Sequence, residues 1–225
     1  MSEIASIIQK YESKKYLFER FLRNVKDFFE LNPILNEKPF PIIHSIKSRL
    51  KEPSHLEDKI NRKQKNGKVI TSENIFNEIT DLAGVRILHL SQEQFVKIHK
   101  EIMSQIDSGE WAFVEEPKAF TWDPEYKTDY EKLNILTELR ETYYTSTHYL
   151  VRPKNNQESI CCEIQVRTLF EEIWGEIDHT INYPHPTDSI ACKEQLRVLA
   201  KLASTGTRLT DSIFRSLDDH KNKQE

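Results

Sequence analysis

The chain has 225 residues, of which 37 % are hydrophobic and 30 % are charged, and its formal net charge is −4. This length allows one domain with a sizeable core, and the longest apolar runs are too short to span a bilayer. The acidic balance argues against a surface that coats nucleic acid, although it is compatible with a local basic patch. An odd count of three cysteines and a polar N-terminus predict a cytoplasmic protein without a disulfide framework or a signal peptide.

The N-terminal segment is predicted to form one long amphipathic helix over residues 3–30. Its apolar residues keep the 3.6-residue period of a helix face. Asn32-Pro33 ends the helix, and two further prolines favour an extended link. We therefore expect residues 1–41 to be a helix and linker, residues 42–187 to be the main domain, and residues 188–225 to be a C-terminal helix.

The next segment combines a predicted strand with the most basic part of the chain. Residues 42–51 alternate so that Lys47, Arg49 and Lys51 share one face. Three cations on one face of a strand are costly unless water or an anion meets them. Ser54 and Glu57 have the spacing of a capping box and predict the start of a helix that carries Lys59. A bare run of charge is also typical of a solvated face, and this alternative stays open here.

The middle of the chain is predicted to alternate between helices and strands. We expect a short helix over residues 72–80, a turn over 81–84 and a strand over 85–90, which places Asp81 just before that strand. Ser91 and Gln94 predict the cap of the following helix, and residues 111–114 predict a short strand. Residues 115–142 lack a steady period, and we expect a long excursion there with helix near residues 129–140.

A strand over residues 142–152 and another from Ile160 to Arg167 are predicted to form an antiparallel hairpin whose turn lies at residues 155–156. In the second strand, Glu163, Gln165 and Arg167 point away from the apolar face. Thr168 and Glu171 then form a capping box for a helix over 168–180. Its apolar residues, such as Ile173 and Ile177, recur at helical spacing. A last helix is predicted from residue 188 to about 217.

The polar residues of these strands are typical of a nucleotide site with Mg²⁺. The sequence has no glycine-rich phosphate loop, no H-E-x-x-H and no G-x-S-x-G motif. Carboxylates such as Asp81 and Glu163 suit Mg²⁺, cations bind phosphate and Tyr144 can stack on a base. The full set is Arg49, Lys51, Lys59, Asp81, Arg86, Tyr144, Ser146, His148, Glu163, Gln165 and Arg167. The structural alternatives are that Arg86 or Arg167 pairs with Asp81 or Glu163 and that His148 fills space in its strand.

Four short stretches together resemble the synthetase domain of the RelA/SpoT family of alarmone synthetases. SRLKEPSHLEDKI (Ser48–Ile60) is similar to the family's R-x-K motif, and DLAGVRI (Asp81–Ile87) to its D-x-x-G-x-R motif. YTSTH (Tyr144–His148) is similar to Y-x-S-x-H, and EIQVRT (Glu163–Thr168) to E-x-Q-x-R-T. The four stretches occur in family order, and the chain resembles the small synthetases and the toxin branch.

The resemblance implies an α+β, nucleotidyltransferase-like fold with a mixed sheet of about five strands, flanking helices, and long N- and C-terminal helices. It also implies that the β,γ-pyrophosphoryl group of ATP is transferred to a ribose 3′-hydroxyl. By this resemblance Asp81 and Glu163 are catalytic and hold Mg²⁺, and Glu163 accepts the proton of the 3′-hydroxyl. The implied ATP-binding residues are Arg49, Lys51, Lys59 and Arg86. The implied acceptor-binding residues are Tyr144, Ser146, His148, Gln165 and Arg167.

The sequence departs from the family pattern beside the acceptor tyrosine, where residues 140–143 (RETY) contain few cations. The acceptor therefore stays open between GDP or GTP, which would yield guanosine tetra- and pentaphosphate, and the 3′ CCA end of tRNA. A third alternative is a catalytically degenerate nucleotide-binding module that regulates a partner. A homo-oligomer or an antitoxin is a further expected partner, and no membrane association is expected.

Overall fold

The computed structural model describes residues 3–155, 159–183 and 185–223. The elements run α1 (Glu3–Leu31), β1 (Ser45–Leu50), α2 (Pro53–Lys65), α3 (Ile75–Glu78), β2 (Ala83–His89), α4 (Gln92–Asp107), β3 (Trp111–Thr121), α5 (Pro124–Lys132), β4 (Leu136–Leu139), β5 (Ser146–Pro153), β6 (Cys162–Thr168), α6 (Leu169–Asn182) and α7 (Ile190–Asn222). Over these three ranges, none of the helices combines the length and the apolar character needed to cross a membrane.

The strands form one mixed sheet in the order β1-β2-β6-β5-β3-β4. The pairs β2–β6 and β3–β4 are parallel, and the other three pairs are antiparallel. The predicted hairpin is confirmed as β5–β6, although part of its predicted turn, Asn156, lies outside the described residues. The parallel pair places Gly84 opposite Glu163, so the segment that carries Asp81 enters the sheet beside Glu163.

One face of the sheet carries the main hydrophobic core. The apolar residues of β6, Cys162, Ile164 and Val166, are buried in it together with residues of α1 and α4. The helix α1 confirms the amphipathic prediction, because the residues that it buries recur at helical spacing. Tyr11 also donates a hydrogen bond to the carbonyl oxygen of Lys51 at 2.8 Å, which joins α1 to the end of β1. The division of the chain at residues 41 and 187 stays a prediction.

The other face of the sheet is polar and is covered by α6. Thr168 caps this helix, since its Oγ1 accepts from the amide of Glu171 at 3.2 Å and Glu171 Oε2 accepts from the amide of Thr168 at 2.7 Å. The predicted capping box is therefore confirmed. The helix α7 packs behind α6, where Trp174, Ala200 and Ala203 form a second, smaller apolar cluster.

Several predicted elements differ in the structure. The sheet has six strands, because β4 (Leu136–Leu139) lies where helix was predicted. The helix α5 ends at Lys132, and Asn134 adopts a positive φ of 58° that breaks the helical path. The strand β3 extends to Thr121 rather than ending at residue 114. It does so through register shifts near Glu115, which accommodate Pro117 in the strand.

The predicted start of α2 was wrong in detail. The helix begins at Pro53 with Glu52 as its N-cap, and no side chain caps it, so Ser54 and Glu57 do not form a capping box. Proline is favoured at the first helical position because its fixed φ suits the helix and its missing amide hydrogen is not needed there. The helix α3 is shorter than predicted, and α7 is longer than predicted and ends at Asn222.

The first prediction concerns the cap that links β6 to α6. Thr168→Val keeps the shape of this fully buried side chain but removes the hydroxyl, so we expect the free energy of unfolding to fall by about 1 kcal/mol or more. Urea denaturation measures the change. Thr168→Ser is the matched control, because it keeps the hydroxyl and should retain most of the stability. Equal stability of the valine variant and the wild type would contradict the prediction.

Candidate active site

A pocket of about 520 Å³ lies between the polar face of the sheet and α6. The sequence-predicted residues among those that line it are Arg49, Asp81, Arg86, Tyr144, Glu163, Gln165 and Arg167. The other four predicted residues, Lys51, Lys59, Ser146 and His148, contact this group from behind. The structure thus brings together residues from four separate stretches of the sequence.

Asp81 lies between two lysines at one end of the pocket. Its Oδ2 is 3.0 Å from the Lys51 ammonium and 2.7 Å from the Lys59 ammonium. Burial alone would raise the pKa of Asp81, but the two lysines outweigh burial and lower it. Its Oδ1 is buried and has no hydrogen-bond partner within the described part of the chain. A buried carboxylate oxygen without a partner is uncommon and indicates a group that binds something further.

Glu163 lies on β6, which pairs with β2, the strand that begins just after Asp81. Its Oε1 accepts from His148 Nδ1 at 3.0 Å, and its Oε2 accepts from the side-chain amide of Gln165 at 2.7 Å. Burial favours the protonated form, and Asp81 adds negative charge nearby, but the contacts with His148 and Gln165 together outweigh both and lower the pKa of Glu163. Glu163 is therefore a carboxylate at neutral pH, the form that can accept a proton.

Arg167 and Tyr144 line the pocket and contact each other. The Arg167 guanidinium is 6 % exposed and lies 4.9 Å from the centroid of the Tyr144 ring. It donates to Tyr144 Oη at 2.5 Å, to Gln165 Oε1 at 3.1 Å and to Ser146 Oγ at 3.1 Å. Ser146 is buried beneath Arg167, so it supports the site rather than facing the pocket. The sequence predicted that Tyr144 lies within a strand, but in the structure Tyr144 precedes β5.

Glu172 on α6 is the main site residue that sequence reasoning missed. It is 3 % exposed, and its carboxylate is 2.8 Å from Lys47, 2.8 Å from Arg86 and 3.4 Å from Arg167. Glu176, one turn later, is 2.9 Å from Arg86. Arg86 and Arg167 pair with acidic residues of α6. The alternative that they pair with Asp81 or Glu163 was therefore wrong.

The spacing of the acidic residues of α6 is a sequence signal for Glu172. Glu172 and Glu176 are four residues apart, so they share one helix face. Their helix directly follows β6, the strand that carries the cation Arg167. The predicted apolar face of α6 is largely turned outward: Ile173 and Ile177 are 49 % and 39 % exposed. Glu172 and Glu176, rather than these isoleucines, face the sheet, because buried cations on the sheet require anionic partners.

Arg49 differs from the other predicted cations. It lines the pocket, is exposed, and makes no side-chain ion pair with another residue of the described ranges. Lys51 and Lys59 are held by Asp81, and Arg86 is held by Glu172 and Glu176. Arg49 is therefore ready to meet an anion in the pocket without first breaking an ion pair.

The second prediction concerns the ion pairs of Glu172. Glu172→Gln leaves the buried Arg167 with one charge partner fewer, so we expect the free energy of unfolding at neutral pH to fall by about 3 kcal/mol. Glu176→Gln is the matched control, because Glu176 contacts the same Arg86 but is largely exposed, and its effect should stay below about 1 kcal/mol. Urea denaturation of both variants measures the difference.

The same ion pairs predict a pH dependence. Burial alone would raise the pKa of Glu172, but the hydrogen bonds from Lys47 and Arg86 outweigh burial and lower it. The contribution of Glu172 to stability is therefore present above the unfolded value of about 4.3 and is lost as the pH falls through the native pKa. The stability gap between the wild type and Glu172→Gln should close in acid; a gap that is constant with pH would contradict this assignment.

The comparisons with known proteins agree with the geometry. The model of a family described as the region found in RelA / SpoT proteins matches residues 48–188. The chain is 27 % identical over 143 residues to GTP pyrophosphokinase YwaC of Bacillus subtilis, which covers 64 % of this chain and 59 % of the relative. The chain therefore spans about three fifths of the length of that curated relative.

Two solved structures show the same fold. The small alarmone synthetase 1 of Bacillus subtilis superposes with a TM-score of 0.69 and 20 % identity, covering 94 % of this chain and 99 % of that one. The same enzyme bound to its product pppGpp gives a TM-score of 0.67 and 21 % identity, with 92 % and 98 % covered. Since the family match extends over more than half of the residues and includes all four motifs, this chain belongs to the RelA/SpoT family.

Proposed function

We propose that this protein is an ATP-dependent pyrophosphokinase that transfers the β,γ-pyrophosphoryl group of ATP to the 3′-hydroxyl of GDP or GTP. The observation that carries the proposal is the position of Asp81 and Glu163 on neighbouring parallel segments of one pocket. Lys51 and Lys59 contact Asp81, and His148 joins Glu163 to Tyr144. The name of the curated relative and the product bound to the similar structure support the same reaction class.

ATP is proposed to bind at the cationic end of the pocket. Among the described residues Arg49 has no ion pair to lose there, and Arg guanidinium groups bind phosphate through paired hydrogen bonds. Lys51 and Lys59 already neutralise Asp81, so incoming phosphates would share these two lysines with that carboxylate. Arg86 would contribute the part of its guanidinium that Glu172 and Glu176 leave available.

The two carboxylates fit Mg²⁺. Mg²⁺ prefers oxygen ligands and is usually held by only one or two protein carboxylates, with water and substrate phosphates completing its shell. Within the three described ranges, Asp81 Oδ1 is buried without a partner, and each Glu163 oxygen accepts one side-chain hydrogen bond. Asp81 and Glu163 would therefore hold the ion, which when bound neutralises charge on the phosphates.

The proposed step is a displacement at the β-phosphorus of ATP. The acceptor 3′-oxygen forms a bond to this phosphorus, the bond from the phosphorus to the α,β-bridging oxygen breaks, and AMP leaves. Glu163 accepts the proton of the 3′-hydroxyl, and its lowered pKa keeps it ionised before the step. The protein contributes mainly position and charge, as in other phosphoryl transfers.

The acceptor is proposed to stack on Tyr144, with Gln165 beside its ribose. A small guanosine nucleotide fits this end of the pocket better than tRNA does, because tRNA needs several exposed cations for its backbone. Arg140, the nearest preceding cation in the sequence, is 3.3 Å from Glu138 and lies over the Phe120 ring at 4.5 Å. The expected antitoxin and homo-oligomer stay predictions.

The third prediction is the acceptor itself. Purified protein with ATP labelled on its γ-phosphate and Mg²⁺ should transfer label to GDP and GTP, with AMP formed in equal amount. Thin-layer chromatography of the nucleotides and gel electrophoresis of bulk tRNA separate the two acceptors. Label on tRNA alone would replace the proposed acceptor by the tRNA 3′ end. Label on neither would favour the degenerate regulatory module.

The fourth prediction is the loss of activity in Asp81→Asn. We expect transfer to fall at least about a hundredfold, because a charged group at the reacting phosphates is removed. Binding of Mg²⁺ together with a non-hydrolysable ATP analogue should weaken in parallel, as calorimetry can measure. Asp58→Asn, which changes an exposed carboxylate on the helix that carries Lys59, is the control and should keep both properties. Full activity of folded Asp81→Asn would refute the assignment.

A further inference from the structure

Five polar side chains of the site form a closed ring of hydrogen bonds. Glu163 Oε1 meets His148 Nδ1 at 3.0 Å, and His148 Nε2 meets Tyr144 Oη at 2.9 Å. Tyr144 Oη meets Arg167 Nη2 at 2.5 Å, and Arg167 Nη2 meets Gln165 Oε1 at 3.1 Å. The side-chain amide nitrogen of Gln165 then returns to Glu163 Oε2 at 2.7 Å. The ring links the residue proposed to accept the proton with the residue proposed to stack on the acceptor base.

The chemistry of two members fixes the direction of these bonds. Arginine has donors only and an ionised carboxylate has acceptors only. Gln165 therefore accepts from Arg167 through its oxygen and donates to Glu163 through its nitrogen. His148 must carry a hydrogen on Nδ1, because Glu163 accepts there. In the neutral imidazole, Nε2 then accepts the hydrogen of Tyr144 Oη, and that oxygen accepts from Arg167.

This direction leaves His148 with no ring nitrogen for a substrate. Both nitrogens are already bonded within the ring, and the edge of the imidazole also packs against Phe120, with ring centroids 5.0 Å apart. The side chain is only 20 % exposed. The acceptor-binding role predicted for His148 would require one of its two present hydrogen bonds to break.

We infer that His148 is a positioning residue that holds the Glu163 carboxylate in the orientation in which it meets the acceptor 3′-hydroxyl. Arg167 is the anchored member of the ring, because its guanidinium also contacts Glu172 and Ser146, which lie outside the ring. Tyr144 transmits this constraint to His148 through its hydroxyl, and Tyr144 also lines the pocket. The inference rests on the proposed function for the role of Glu163, and it assigns to this chain a coupling between its acceptor platform and its proton acceptor.

A matched pair of substitutions tests the inference. In His148→Asn the amide nitrogen can take the place of Nδ1 and keep the donor to Glu163, whereas in His148→Gln it takes the place of Nε2 and loses that donor. We expect His148→Gln to lower kcat by about tenfold to a hundredfold, the usual effect of losing a group that orients a reacting side chain. KM for the acceptor should change little, and His148→Asn should recover most of kcat.

The control is His44→Gln, which replaces an exposed histidine outside the pocket and should leave kcat and KM as in the wild type. A rise in the acceptor KM with an unchanged kcat in His148→Gln would overturn the inference and support direct acceptor binding. Equal losses of kcat in folded His148→Gln and His148→Asn would overturn it too, because the donor to Glu163 would then be irrelevant. Thermal unfolding confirms that each variant is folded.

A spectroscopic measurement tests the ring without substrate or turnover. In protein labelled with ¹⁵N at its histidines and kept metal-free with a chelator, the signals that disappear in His148→Asn belong to His148. We expect them to show a hydrogen on Nδ1, whereas free neutral histidine favours Nε2. A ring with its hydrogen on Nε2 alone would overturn the inference. If this result holds while no acceptor is labelled, the proposed function fails and the geometry of the ring stands.

Discussion

The buried carboxylate of Glu172 is the constraint on which the rest of the site depends. It lies among Lys47 from β1, Arg86 from β2 and Arg167 from β6, so one anion ties three strands to α6. Removing one partner of a buried ion pair leaves an uncompensated charge, which costs about 3–5 kcal/mol. The helix can therefore cover the polar face of the sheet only in the register that places Glu172 over these cations. That register encloses the pocket.

The charged residues of the pocket form two centres, which differ in whether the carboxylate at the centre can still bind a ligand. At one centre, two lysines hold Asp81, but one of its oxygens has no partner in the part of the chain that the structure describes. At the other, Glu172 is surrounded by cations and is unavailable to a ligand. An anionic substrate therefore meets cations that are already oriented by carboxylates, together with Arg49, which is not. Such preorganisation lowers the reorganisation needed when phosphate enters, and it is the usual source of electrostatic catalysis.

Much of the fold could be predicted from the sequence because the signals are local. The period of α1, the alternation of β6 and the capping boxes at Ser91 and Thr168 each depend on residues within a few positions of one another, and the structure confirms them. The incorrectly predicted elements lie where the local sequence pattern is irregular. Residues 115–142 lack a regular pattern because β3 contains bulges and α5 is followed within a few residues by a four-residue strand. Short strands of this kind form only because a neighbouring strand pairs with them.

The sequence by itself predicted most residues of the candidate site, since the four motifs grouped Asp81, Tyr144, Glu163 and Arg167, although it did not identify Glu172. Only the tertiary structure decided which of them face a ligand and which hold one another in place. Arg86 and Glu172 are 86 positions apart in the chain, and no periodicity connects them. Burial lowers the effective dielectric, so charges brought together inside the fold pair strongly. Ile173 and Ile177 of α6 are exposed for the same reason, because the helix places its carboxylates rather than its apolar residues against the sheet.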